Sequence, residues 1–409
     1  MDFAAELRST QTIRKRARAL LERARRGESA WFTVNDGAMV TAAALVAELT
    51  QARYPDLKIP YHSRWRHFEA GGVSRAVQLD AALAGSSSAE KAIAQIDLAV
   101  VSVLLDAGAG ADWRYLEPGN ERHLSREYSR SEGLGVASFH GFSSGLFSSA
   151  PSHPLQADAA GLQAVNEDKL AQAFQVSATN PLIGLEGRAA LLRRLGQALQ
   201  DQPEVFGRPG RPGNLFIRLT QGRTSLHAHD LLTLLLTSLA PIWPAQNAID
   251  GVALGDCWRH AAALSDDTAS ASNGWMPFHK LSQWLTYSLL EPFEWAGIQV
   301  DGLDALTGLP EYRNGGLFLD AGVLRLNNKG SEGRRYEAGD ELIVEWRALT
   351  IALLDELAPL VRELLGLTEQ QMPLACVLEG GTWAAGRALA QQLRGGAPPL
   401  NIVSDGTVF

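Results

Sequence analysis

Helical periodicity is the feature that most limits what this chain can become. Apolar residues recur every three to four positions near 9–27, 40–52, 73–84, 89–107, 159–173, 186–201, 226–239, 279–290, 344–365 and 383–394, the spacing of one buried helix face. Strand-like runs are short and few: Asn214–Leu219, Gly322–Leu326 and a terminal Leu400–Val403. They cannot supply the strand and helix alternation of a doubly wound sheet, so the expected class is mostly α with minor β. Gly133–Pro154, rich in Gly, Ser, Phe and His, reads as a long loop that Phe139, Phe142 and Phe147 order against something apolar. Gly207–Gly213 and Gly395–Pro399 read as connectors. The expected organisation is an N-terminal helical region over 1–158, a helical core carrying the site over 159–365 and a C-terminal extension over 366–409.

Composition narrows the class further. With 409 residues, 46% hydrophobic and 20% charged, the chain can bury a sizeable core. A formal net charge of -8 leans against nucleic-acid binding. The most apolar run, Leu231–Leu239, is about half of the roughly 18 residues a membrane span needs and reads as a buried helix. Cys257 and Cys376 lie outside any close metal-ligand spacing, so neither a structural zinc nor a disulfide scaffold is expected, and a reducing cytoplasm fits best. The basic stripe at 13–26 is accompanied by Asp2, Glu6 and Glu22, too acidic for a targeting presequence, and reads as a solvated amphipathic surface helix.

The chemistry concentrates between Trp275 and Leu324, which reads as two helices joined by a tight turn. Lys280 falls near the beginning of the first helix, where the dipole disfavours a cation, so an acid or an anionic ligand is expected to hold it. Glu311 follows Pro310 at the start of the second, where a carboxylate suits the first turn. His62, Arg64, Arg66 and His67 form the densest polar cluster, with Trp65, Phe68 and Glu69, and read either as an anion site or as a network of ion pairs and ring contacts. Asp266–Asp267 lacks the β-strand and glycine turn of a phosphoribosyl-diphosphate loop and reads as a helix N-cap. Cys257 and His260 suit a buried thiol and a capping imidazole better than a nucleophile. No Gly-rich phosphate loop and no Gly-x-Ser-x-Gly elbow is present.

Four blocks carry a resemblance: residues 62–75, 279–292, 306–324, and 377–387 with the terminal 404–409. In them the chain resembles the uracil-catabolism (URC/Urg pathway) protein family of fungi and bacteria, several members of which bear a uracil phosphoribosyltransferase label. More distantly, Phe278–Gln283, Leu306–Arg313, Leu319–Leu324 and Glu341–Ala348 look like the queuosine-nucleotide N-glycosidase (queuosine salvage) family. Pro181–Arg188, Trp65, Gly72 and Arg75 are compatible with further parts of that pattern. That family implies a helical body akin to helix-hairpin-helix DNA glycosylases and cleavage of the bond between a base nitrogen and ribose 5-phosphate. It has aspartate where this chain has Glu311, so the carboxylate here is one methylene longer.

The resemblance implies an N-ribosyl hydrolase that releases urea from a ring-opened pyrimidine nucleotide, ribosylurea or its 5-phosphate, without cofactor or metal. Glu311 would be the carboxylate that offsets charge on the ribosyl cation, with Lys280 as its partner or a phosphate ligand. His279, Asp340, Glu341 and Tyr312 are the candidates to protonate the leaving nitrogen. Trp275, Phe278 and Trp284 would wall the pocket, with Arg313 and the cluster of His62, Arg64, Arg66 and His67 binding substrate. Uracil phosphoribosyltransfer and a non-catalytic scaffold of a uracil-degrading assembly are the alternatives. The expected partner is a small nucleoside or nucleotide, with neither nucleic acid nor membrane.

Overall fold

The computed structural model describes residues 3–119, 125–243, 247–267, 269–328 and 333–403. They group into two compact units, one of Met1–His62, Ala245–Gln283 and Gly302–Val403, the other of Ser63–Pro244 and Trp284–Asp301. The grouping follows packing rather than chain order, whereas the sequence reading divides the chain at 158 and 365. The architecture is mostly helical, and the described strands are two to four residues long, paired in two-stranded sheets. No helix is long and apolar enough to cross a membrane.

In the first unit the helix Glu341–Leu365 is the central element. Leu342, Ile343, Val344, Ile351, Leu353 and Leu357 give it a broad apolar face, which packs against the helices Thr10–Arg25 and Met39–Arg53. It stops at Gly366, in the left-handed region with φ of 68°, where the Leu367 N–H closes on the Arg362 carbonyl at 2.9 Å. Thr10–Arg25 is the expected amphipathic surface helix, with Gln11, Lys15, Arg18 and Glu22 exposed and Ile13, Ala17, Leu20 and Leu21 buried, but two of its arginines turn inward. Arg16 is buried and donates to Glu6 at 2.8 Å, to the Ser272 carbonyl at 2.9 Å and to the Trp275 carbonyl, while Arg14 donates to Asp355 at 2.8 Å. Arg14 and Arg16 therefore fasten this unit internally. Phe32–Val34 pairs antiparallel with Leu324–Leu326, Cys257–Arg259 antiparallel with Trp275–Pro277, and Arg335–Tyr336 parallel with Asn401–Ile402. The expected terminal strand thus exists, and residues 404–409 lie outside the described residues.

The second unit contains the helices Ser88–Leu104, Arg130–Ser143, Leu185–Asp201 and Ala228–Ser238. Ser88–Leu104 starts on a capping box, with the Glu90 carboxylate accepting from the Ser87 N–H at 2.8 Å and the Ser87 hydroxyl from the Glu90 N–H at 3.3 Å. Two expectations are corrected here. The stretch expected as a long loop, Gly133–Pro154, is helical to Ser143, with Phe139, Phe142 and Phe147 buried as anticipated. Its glycines serve packing: a Cβ on Gly133 would lie 2.8 Å from the Trp113 ring and one on Gly135 2.9 Å from the His67 side chain. Asn214–Leu219, expected as a strand, is the helix Leu215–Thr220, because so short an apolar run fits either period.

Three smaller corrections follow. The expected helix at 159–173 is two, Ala159–Gln163 and Glu167–Ala173, each with its own cap, Asp158 accepting from Gly161 and Asn166 from Lys169, both at 2.9 Å. The helices Lys280–Trp295 and Tyr312–Asp320 are not joined by a tight turn; the strand Gln299–Asp301 and a 3-10 turn at Leu303–Ala305 intervene. Asp267 caps no helix: its carboxylate accepts from the Ala269 N–H at 2.9 Å, a side-chain-closed turn.

Candidate active site

Asp256 organises the first unit around Lys280. Its carboxylate accepts both terminal nitrogens of Arg347 at 2.8 Å, the Trp258 indole N–H at 2.7 Å and the Lys280 backbone N–H at 2.9 Å. Its carbonyl accepts the Phe278 N–H at 2.9 Å. Burial alone would raise this carboxyl, but the Arg347 charge and the bonds outweigh it and hold it well below the usual range. An anion therefore sits at the first residue of the Lys280 helix, offsetting the mismatch between lysine and the helix dipole. Arg347 also packs on the Phe278 ring at 4.0 Å and donates to the Pro310 carbonyl at 3.3 Å, so one guanidinium ties the start of the Lys280 helix to the residue before Glu311.

Glu311 is the N-cap of Tyr312–Asp320. One carboxylate oxygen accepts from the Arg313 N–H at 2.7 Å and the other from the Asn314 N–H at 2.6 Å. Burial pushes its carboxyl upward, while those two bonds and the charges of Lys280 and His62 pull it back. The structure thus brings Lys280 and His62 within electrostatic reach of Glu311. All three are partly accessible rather than sealed in the core.

Behind His62 stands Glu379, which sequence reasoning passed over. His62 Nδ1 is 2.8 Å from Glu379, whose carboxylate also accepts from Arg53 at 2.8 Å and from the Tyr54 hydroxyl at 3.0 Å. Burial works against the charge on Glu379, yet the bond from His62 and the positive charges of His62 and Arg53 hold its carboxyl down at about 2. Glu379 lies on a single turn of π-helix, Leu378–Thr382, between Leu374–Val377 and Trp383–Arg394. Trp383–Arg394 packs closely on the Glu311 helix, since a Cβ on Gly386 would fall 2.0 Å from the Arg313 carbonyl oxygen.

The remaining expected site residues are placed as follows. Trp275 and Phe278 are buried in the first unit, the former under the Arg259 guanidinium at 3.9 Å. His279 takes a left-handed backbone, φ 51°, and its Nε2 lies 2.9 Å from the Leu7 carbonyl and 3.7 Å from Cys257 Sγ; burial depresses its basicity. Cys257 is in a strand, not on a helical turn with His260, and burial pushes its thiol upward; His260 instead meets Glu345 at 3.0 Å. Tyr312 is exposed with Arg313 stacked at 4.8 Å, and Arg313 donates to the Gly396 carbonyl at 3.1 Å. Asp340 accepts from the Glu337 N–H at 3.0 Å and Glu341 from the Ala261 N–H at 3.3 Å. Arg64, Arg66, His67 and Trp284 belong to the second unit. There Arg64 is buried, 3.2 Å from Asp106 and donating to Ser102 at 2.6 Å, Arg66 pairs with Glu291 at 2.6 Å, and Trp284 meets the His67 ring edge-on at 5.8 Å. Among the described residues no group of three His, Cys, Asp or Glu is placed to hold a metal.

These features define a mostly helical protein whose first unit assembles a carboxylate, a lysine and a carboxylate-backed imidazole. The chain belongs to the family described as a protein of unknown function, DUF1688, whose model matches residues 6–409. It is similar to Protein urg3 of Schizosaccharomyces pombe (strain 972 / ATCC 24843), 42% identical over 419 residues that cover 100% of this chain and 99% of that protein. It is also similar to Uracil catabolism protein 4 of Lachancea kluyveri, 40% identical over 382 residues, 86% of this chain and 85% of that one.

Proposed function

We propose that the protein acts in uracil breakdown as an N-ribosyl hydrolase that cleaves ribosylurea, as its 5-phosphate, to urea and ribose phosphate. The name of the Lachancea kluyveri relative supports the pathway. The observation that carries the chemistry is the half-buried carboxylate of Glu311, fixed at a helix start with the Lys280 charge acting on it. Breaking the bond from C1 of the ribose to nitrogen leaves positive charge on the sugar, which an ionised carboxylate stabilises, and the same group can take a proton from the attacking water. The Lys280 charge favours the ionised form of Glu311 and offsets part of the upward push of burial, or Lys280 holds the ribose phosphate. In this reading the helical body is of the helix-hairpin-helix glycosylase kind, and the enzyme works in the cytoplasm.

The deciding assay incubates pure protein with ribosylurea 5-phosphate and measures free urea. Release without added metal or phosphoribosyl diphosphate is the expected outcome. Nucleotide formation that depends on phosphoribosyl diphosphate would replace hydrolysis with uracil phosphoribosyltransfer, and inertness toward both would leave a scaffold. Glu311→Gln should lower urea release by at least about a hundredfold with a small fall in melting temperature, because the amide keeps the outline but neither the charge nor the second acceptor for the helix N–H groups.

A further inference from the structure

Urea leaves poorly as an anion, so the reaction needs a proton donor at the departing nitrogen, and each of the four residues expected to supply it has contacts of its own. His279 is buried with its Nε2 at the Leu7 carbonyl, Asp340 and Glu341 accept backbone N–H groups, and the Tyr312 ring faces the Arg313 guanidinium. His62 is differently built. Its backbone N–H is fixed to the Ala375 carbonyl at 3.0 Å, its ring lies 6.4 Å from that of Trp383, and its Nδ1 is bonded to Glu379. Glu379 is ionised and so accepts only, which makes Nδ1 the donor and Nε2 the atom that exchanges a proton. Arg53 and Tyr54 hold the carboxylate in turn, and the π-turn that carries it packs against the Glu311 helix.

We propose that His62 is the catalytic acid that protonates the leaving urea nitrogen, with Glu379 as the residue that positions it. This assignment rests on the ribosyl hydrolase reading. In the step, the bond from C1 of the ribose to nitrogen breaks and its electron pair stays on nitrogen, which takes the proton from His62 Nε2. Water supplies the new oxygen at C1 and gives a proton to Glu311, and solvent exchange returns that proton to His62, so one water is consumed and urea and the free sugar phosphate leave.

The test compares two substrates: ribosylurea 5-phosphate, whose leaving group needs a proton, and 4-nitrophenyl riboside 5-phosphate, whose leaving group does not. His62→Asn retains a donor toward Glu379 and removes Nε2. It should lower urea release by about a hundred- to ten-thousandfold while nitrophenol release stays near that of the unaltered protein. Glu379→Gln should show the same selective loss at smaller size, and it decides the matter should His62→Asn fail to fold. Glu311→Gln should lower both reactions. Equal losses on both substrates in the folded His62 variant, or undiminished urea release, would overturn the acid role while leaving the hydrolase reading in place. A wild-type protein that cleaves neither substrate would overturn both.

Discussion

The length of Glu311 is the most informative single-residue choice in the site. Both of its oxygens already accept helix N–H groups, so its reach is spent on a fixed position at the start of Tyr312–Asp320. Shortening it by one methylene must either break the cap or draw the carboxylate back from the place of the proposed ribosyl group. Glu311→Asp is therefore expected to lose activity on the order of a hundredfold, the scale that misplacement near 1 Å can cost, with a small fall in melting temperature. Kinetics equal to wild type would show that the position tolerates either acid. The helix-start positions of Glu311 and Lys280 were legible because cap and dipole rules flag them locally. Asp256, Arg347 and Glu379 were not, since each takes its meaning from partners far along the chain: Arg347 is 91 positions from Asp256 and Glu379 is 317 from His62.

At the scale of elements, the long amphipathic and apolar helices followed directly from spacing, whereas glycine misled. Gly133, Gly135 and Gly141 made the part of Arg130–Ser143 from Gly133 onward look like a loop because glycine lowers helix propensity, but Gly133 and Gly135 mark where neighbouring side chains press against the helix. The same logic applies in the first unit, where Gly386 lets two site-bearing helices touch. Gly386→Ala should destabilise the protein by about 1–3 kcal/mol in denaturant unfolding and reduce turnover, since relief of the clash moves Trp383–Arg394 away from the Glu311 helix. A stable and fully active variant would mean that this contact relaxes without disturbing the site. The four blocks that carry the sequence resemblance each deliver one residue here: His62, Lys280, Glu311 and Glu379. Their long irregular stretches then have a physical content, since each supplies the local scaffold for one side chain.

For the whole molecule, stability should depend on pH through Glu291. Burial outweighs the nearby Arg66 charge and pushes this carboxyl up to about 7. A glutamate in an unfolded chain titrates near 4.3, so the folded protein binds the extra proton between those values. The contribution is full below about pH 4 and is lost as pH rises through about 7, by at most about 4 kcal/mol. Wild-type unfolding free energy should fall from pH 5 to pH 8, with buried Asp97, raised to about 6, contributing to the lower part of that range, and Glu291→Gln should make the fall shallower; parallel curves for the two proteins would exclude Glu291 as a cause. The Asp256–Arg347 clamp has a consequence for the timing of folding. Because it joins the Lys280 helix to the segment before Glu311 only after the intervening chain has closed, no early helical intermediate can possess the site. On refolding from denaturant, the far-ultraviolet helical signal should return before enzymatic activity does, and the lag between the two measures how late the clamp closes.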